Sequence, residues 1–353
     1  MKKEPSSCPM NHHTNLLKII AGILVILLIA AAGCTTAPSA DGLTITNSDG
    51  TPVHLSGPAE RIVLLNSNAG EILYLLGEAD RVVGISQSIQ NNAEQRMMYP
   101  SAEVVGTWNE PDVERLIALD VDLVLGYATS KPKNEVVLGA SGIPIVYIDC
   151  TKPSTMASDI MEVGKLVGKT SLAKEIAEFY TSVMDKVSAA GMPYDVQYRI
   201  YAESYTAFYG QGKGTGIGEM IDLTAGCNIM ASVDGARKIS DEWVVSEKPE
   251  IIIKVVNSMD AREDVLKEIQ SRTGFSTTPA VQNHKVWLIR NDLTYGPRAC
   301  AGAVAILQMQ YPGALPGITA ESVLEEFNAR FSTSFETNLA VYPGIGGSSN
   351  SSD

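Results

Sequence analysis

Short apolar runs alternate with amphipathic stretches along most of this chain. Arg61 to Leu65 (RIVLL) is apolar after its first residue and reads as a buried strand. Asn66 or Ser67 then caps a helix over Gly70 to Leu76, and Gly77 stops it. Arg81 to Ile85 is the next strand. Pro111 suits the first turn of a helix through DVERLIAL, where its missing N–H costs nothing, and that helix leads into a strand at Asp122 to Leu125. Gly142 to Ile148 supplies another. Strand and helix in alternation imply parallel pairing through right-handed crossovers, the pattern of an α/β lobe.

From Thr155 to Ala190 the rhythm changes. Ile160, Val163, Val167, Ile176, Phe179, Val183 and Val187 recur at helical spacing, which predicts one long helix or two in line. After Gly191 and Pro193 the β/α rhythm resumes with a strand at Tyr198 to Glu203. The second half echoes the first: GEILYLLG (Gly70 to Gly77) has a counterpart in GEMIDLTAG (Gly218 to Gly226). PDVERLIALDVDLVL (Pro111 to Leu125) matches ISDEWVVSEKPEIII (Ile239 to Ile253) without a gap. That register sets Glu71 against Glu219 and Glu114 against Glu242. The expected fold is two α/β lobes with parallel sheets, residues 58–154 and 193–343, joined by a long helix over 155–192. Clefts between such lobes are where small ligands sit.

The N-terminus reads as an address. Met1 to Lys18 is polar with three lysines, and the apolar run Ile19 to Ala32 falls short of the roughly 20 residues a membrane span needs. It ends in Ala31, Ala32, Gly33 and Cys34, a lipobox pattern that predicts lipidation of Cys34 after removal of the signal segment. An uncleaved anchor is the alternative; either places the body outside the cell on a tether. Thr35 to Gly57, polar with little apolar periodicity, is expected to be a linker, and residues 344–353 a disordered tail.

Composition narrows the chemistry. A hydrophobic content of 45% with 19% charged residues supports a sizeable core, and a net charge of -13 repels phosphate backbones, so nucleic acid is not expected as a partner. Cys8 and Cys34 belong to the N-terminal segment; Cys150, Cys227 and Cys300 lie in the body with no CxxC spacing, and their pairing stays open. His12 and His13 precede the body, leaving His54 and His284 far apart, which disfavours a clustered site for a naked metal ion. No resident metal or cofactor is expected. GxSxG, HExxH and Walker patterns are missing, since Lys213 is followed by Gly214, and nothing supports an enzyme.

The segments RIVLLNSNAGEILYLLGEADRVVGIS, VVGTWNEPDVERLIALDVDLVLGY and GIPIVYID, followed by EMIDLTAGCNIM, ISDEWVVSEKPEIIIK and PAVQNHKVWLIRNDLTYGPRA, resemble the substrate-binding proteins of iron-siderophore, haem and cobalamin ABC importers. The resemblance covers roughly Pro58 to Pro343. It implies two lobes bridged by one rigid helix, opening only slightly, with no catalysis. It also implies a metal chelate as ligand (a ferric siderophore, haem or corrinoid) and an ABC permease dimer with its cytoplasmic ATPase as partner. A surface sensor or adhesin on the same fold is the alternative.

The same resemblance assigns roles. Glu114 and Glu242 fill the positions where the family docks onto permease arginines; two carboxylates at matching points of two lobes make a salt-sensitive, two-point contact. Each also favours its helix dipole, and for Glu71 and Glu219 a capping role is expected. Trp108 and Asn109, in GTWNEPD, lie in a loop expected to face the cleft, where an indole can cover the face of a chelate; Trp108 packing beneath its own loop stays open. Trp108 matches a tryptophan of the cobalamin-binding members, but QSIQNN and VDGARK lack the aromatics those members carry, which counts against cobalamin itself. Tyr205, Tyr209 and Tyr295 are expected to stack on the chelate, Arg298 to pair with its carboxylates, and Lys213 to add a further cation.

Overall fold

In a computed structural model, which describes residues 42–194, 197–338 and 340–343, the apolar run after Arg61 becomes the strand Ile62–Leu64, buried at every position in the middle of a five-stranded sheet. Val82–Ile85 and Leu123–Gly126 flank it in parallel, with Glu103–Val104 and Ile145–Tyr147 at the edges. Strands covered on both faces read as continuous apolar runs, which is why no alternation marked them in the sequence.

Arg199–Glu203 holds the same place in the second lobe. It runs parallel to Cys227–Asn228 on one side and to Ile251–Val256 on the other, and Val286–Arg290 follows Ile251–Val256 in parallel. Leu123–Gly126 and Ile251–Val256, the strands that end the two echoed segments, therefore sit at equivalent sheet positions. The second sheet is extended by antiparallel strands, Tyr209–Gln211 and Ala236–Lys238 at one edge and Val341–Tyr342 at the other. The two-lobed α/β architecture agrees with the expectation from sequence.

The bridge differs. Instead of one helix or two in line, Pro153–Leu166 and Thr170–Gly191 fold back on each other, with Gly164 against Ala173 near the bend. Gly168 adopts φ +71°, Lys169 N–H donates to the Gly164 carbonyl at 2.7 Å, and Gly168 N–H donates to that of Lys165 at 3.1 Å. This is a Schellman stop, and glycine enters its left-handed position without a Cβ penalty. Thr170–Gly191 is the helix that spans the lobes. Lys169, just before it, pairs with Glu78 of the first lobe at 2.9 Å, while Gly191 at its other end packs on the Thr224 backbone of the second.

Part of the expected linker is folded. Leu43–Thr46 and Pro52–Leu55 pair as an antiparallel hairpin with Ile45 and Leu55 buried. Thr46 N–H donates to Glu162 at 3.0 Å, and Tyr147 N–H to Asn47 Oδ1 at 2.8 Å, so the hairpin belongs to the first lobe. Strands of four residues gave too little periodicity to be seen. Cys34, the signal segment and the tail 344–353 lie outside the described residues.

One apolar cluster runs through both lobes, from Ile45 and Leu64 through Ile160 and Ile176 to Ile253, Leu307 and Phe327. Ala299–Gln310 is buried at all its positions within it. The lobes thus share a core.

Candidate functional site

The carboxyl ends of the parallel strands in both sheets carry aromatic residues, the place where open α/β sheets bind ligands. Beyond Glu103–Val104, the chain makes a two-stranded hairpin in which Gly106 pairs with Pro111 and Thr107 with Glu110, leaving Trp108 and Asn109 as the turn. Thr107 Oγ1 donates to Asn109 Oδ1 at 2.9 Å, and Lys133 N–H to the Asn109 carbonyl at 2.8 Å, which fixes the turn. Trp108 is half-buried. Its inner side rests on the cluster containing Val105, Leu116 and Leu138, and its ring meets that of Tyr127 edge-to-face at 6.4 Å between centroids. The indole therefore packs under its own loop while part of it stays open to solvent.

Tyr127 was missed in the sequence. It directly follows the strand Leu123–Gly126, and that position at a strand's carboxyl end was the available signal. Its hydroxyl lies 3.2 Å from Ser67 Oγ, and burial, with the nearby Tyr205 among lesser causes, pushes its phenol up to about 12. Burial and then Tyr205 push Tyr295 up to about 12 as well. Tyr127 of the first lobe and Tyr295 of the second thus both lie within electrostatic reach of Tyr205, and Trp108 joins the group through its edge contact with Tyr127. Tyr205 is 54% exposed and Tyr209 40%, so both present ring surface to solvent. Lys213 is exposed, its backbone bonded to Val233 and Gly235, and among the described residues no ring or ion-pair contact joins it to the aromatic group.

Arg298 does not serve the cleft. It is 0% exposed, with Nε and Nη2 donating to Glu71 at 3.0 and 2.6 Å, Nη1 to Glu94 at 2.9 Å, and Asp292 2.7 Å away. The ring of Phe335 lies 4.4 Å from the guanidinium. A buried cation needs such partners, and at 0% exposure the guanidinium is closed to a ligand carboxylate. Glu71 and Glu94 belong to the first lobe and Arg298 to the second, so the cluster clasps the lobes together. Glu71 is accordingly not a cap; Asn66 caps its helix, accepting from the N–H groups of Asn68 and Ala69. Glu219 does cap, but across helices, accepting the N–H of Ser154 at 3.1 Å.

Glu114 and Glu242 occupy matching geometry. Each is the second residue of a short helix, Val113–Ala118 or Asp241–Glu247 with its N-cap at Asp112 or Ser240, and each is exposed. The N-cap oxygens accept from Arg115 N–H at 3.1 Å and from Trp243 N–H at 3.3 Å. Glu242's own N–H, then the Ser240 hydroxyl, hold its carboxyl below the usual range.

Two α/β lobes spanned by one helix and sharing a core give the architecture of a two-lobed binding protein. The chain belongs to the Periplasmic binding protein family, whose match runs over residues 62–293, from the first central strand into the second lobe. It is 27% identical over 320 residues to the uncharacterized ABC transporter substrate-binding lipoprotein YvrC of Bacillus subtilis, covering 84% of this chain and 98% of that one. It is 26% identical over 254 residues to a cobalamin-binding protein of Halobacterium salinarum, covering 67% and 66% of the two chains. Among solved structures, the molybdate periplasmic binding protein MolA of Haemophilus influenzae superposes with a TM-score of 0.72 at 18% identity, over 83% of this chain and 99% of that one. The TroA-like periplasmic binding protein FepB of Veillonella parvula gives 0.68 at 23%, over 83% and 97%. Those two likenesses concern the fold alone.

Proposed function

We propose that this protein is the extracellular substrate-binding subunit of an ABC importer, tethered by a lipid on Cys34 at the outer face of the cytoplasmic membrane. It captures an iron chelate (siderophore or haem) or a corrinoid in the interlobe cleft and delivers it to a permease dimer driven by a cytoplasmic ATPase. The observation that carries this reading is the aromatic group Trp108, Tyr127, Tyr205 and Tyr295, contributed by both lobes at the carboxyl ends of their strands. Faces of this kind suit a large, flat or apolar ligand surface, which a small inorganic ion does not offer. The names of the relatives, a substrate-binding lipoprotein and a cobalamin-binding protein, support the same class. With Arg298 withdrawn into the clasp, ring contact rather than ion pairing carries the binding energy.

Glu114 and Glu242 are proposed as the docking points for permease arginines, and Tyr209, Asn109 and Lys213 as the outer rim of the ligand site. Native mass spectrometry of the protein from its own host tests the ligand: a co-purifying chelate is expected. Protein that carries none, and that binds neither haem, a ferric trihydroxamate nor cyanocobalamin by calorimetry, would remove this reading in favour of a surface adhesin.

A further inference from the structure

Ile251–Val256 is buried at all six positions and aliphatic at five, yet its fourth residue is Lys254, 6% exposed. Lys254 Nζ donates to Glu203 Oε1 at 2.7 Å and to the Ser204 carbonyl at 2.6 Å. Arg272 grips the same carboxylate, Nη1 to Oε2 at 2.7 Å and Nη2 to Oε1 at 3.0 Å, and Tyr201 donates its hydroxyl to Oε2 at 3.2 Å. Against burial, Arg272 and Lys254 hold the Glu203 carboxyl below its ordinary range, so the cluster stays ionised. Buried ion groups of this kind seldom add stability over well-packed aliphatic side chains, and a lysine in such a strand invites another explanation.

What the cluster holds is the loop that carries Tyr205. Lys254 anchors the carbonyl of Ser204 at the loop's start. Arg272 lies 4.7 Å from the ring centroid of Phe208 at its end, where φ is +65°. Ser204 N–H closes the loop onto the Tyr209 carbonyl at 2.8 Å, and the Phe208 carbonyl accepts Ile239 N–H at 2.8 Å. Tyr205, more than half exposed, stands on this frame.

We infer that Lys254, with Glu203 and Arg272, is a positioning cluster that sets the 204–208 loop so that Tyr205 meets the ligand at the cleft. This rests on the reading of Tyr205 as a ligand contact. The cluster does not touch ligand itself; Lys254 acts through the Ser204 carbonyl and Arg272 through the Phe208 ring. A frame of buried charged hydrogen bonds is directional where apolar packing is not, and directionality is what a tip residue without a core of its own requires.

Hydrogen–deuterium exchange on the full chain separates positioning from general stability. In Lys254→Met, amides 204–209 should lose protection by about tenfold or more, while Ala299–Gln310 exchanges as in wild type. Lys254→Arg should restore most of the protection. Should Lys254→Met fail to fold, Lys254→Gln, which keeps a donor without the charge, carries the comparison. Binding is then measured with haem, a ferric trihydroxamate and cyanocobalamin. For the probe that wild type binds, Lys254→Met should weaken affinity about tenfold, and by less than about twofold when Tyr205 is already alanine. Unchanged exchange at 204–209, or an affinity loss that persists in the Tyr205→Ala background, overturns the inference. If wild type binds no probe, the ligand reading fails, and the positioning claim is decided by exchange alone.

Discussion

A guanidinium read from LTYGPRA is free to meet a ligand carboxylate, because its partners Glu71 and Glu94 lie 227 and 204 residues away. Folding delivers them, and the residue changes role. Arg298→Met should therefore cost stability, about 3–5 kcal/mol, since it strands buried carboxylates; urea unfolding measures it, and an unaltered midpoint with weakened ligand binding would return Arg298 to the cleft. Trp108→Ala should do the reverse. It is expected to weaken chelate binding by about 1–3 kcal/mol in calorimetry with a small change in melting temperature, because only one side of the indole is committed to packing. Asp159 offers a pH test. It accepts from Cys150 N–H and the Thr155 hydroxyl, both at 3.1 Å, yet burial pushes its carboxyl up to about 6. A carboxyl whose folded pKa exceeds the unfolded value of about 3.9 binds more protons when folded, so its contribution to stability falls as pH rises from about 4 to 6 and stays low above. Asp159→Asn should then gain on wild type by roughly 1–3 kcal/mol between pH 4 and pH 7.5. Parallel stability curves would show that the carboxyl titrates normally.

At the scale of elements, most strands and helices were legible because local pattern and burial agree. The apolar stripe through Thr155 to Ala190 misled because both helices turn their stripes toward one core, so the periodicity continues across the bend. Gly168 carried a readable stop signal, a glycine just past the last periodic residue. Gly164 did not, because its role is the close approach of Ala173, whose Cβ would stand 2.2 Å from any Cβ placed there. Gly164→Ala should destabilise by about 1–3 kcal/mol, and adding Ala173→Gly should recover a good part of the loss. If the second change brings no recovery in chemical denaturation, the cost lies elsewhere than in the helix contact. Tyr127 was legible in principle as the residue after a buried strand, whereas the hairpin Leu43–Leu55 was not, its strands being too short to show a period.

For the whole molecule, the matching positions of Glu114 and Glu242 on short, similarly capped helices give a test that spans both lobes. Reversing both to arginine should leave chelate affinity near wild type and abolish uptake in proteoliposomes with the cognate permease, since like charges at an interface cost several kcal/mol; single reversals should give partial loss. Normal transport by the double variant, or loss of ligand binding equal to the loss of transport, would remove the docking role. The sequence by itself determined the two α/β lobes, their duplication and the paired exposed carboxylates, because strand burial, capping and ungapped repetition are local or periodic properties. Only the tertiary structure decided that the bridge folds back as two helices, that Arg298 is neutralised by carboxylates of the other lobe, and that Tyr127 meets Trp108. Each of these depends on contacts between residues distant in the chain, where neither spacing nor residue type reveals the partner.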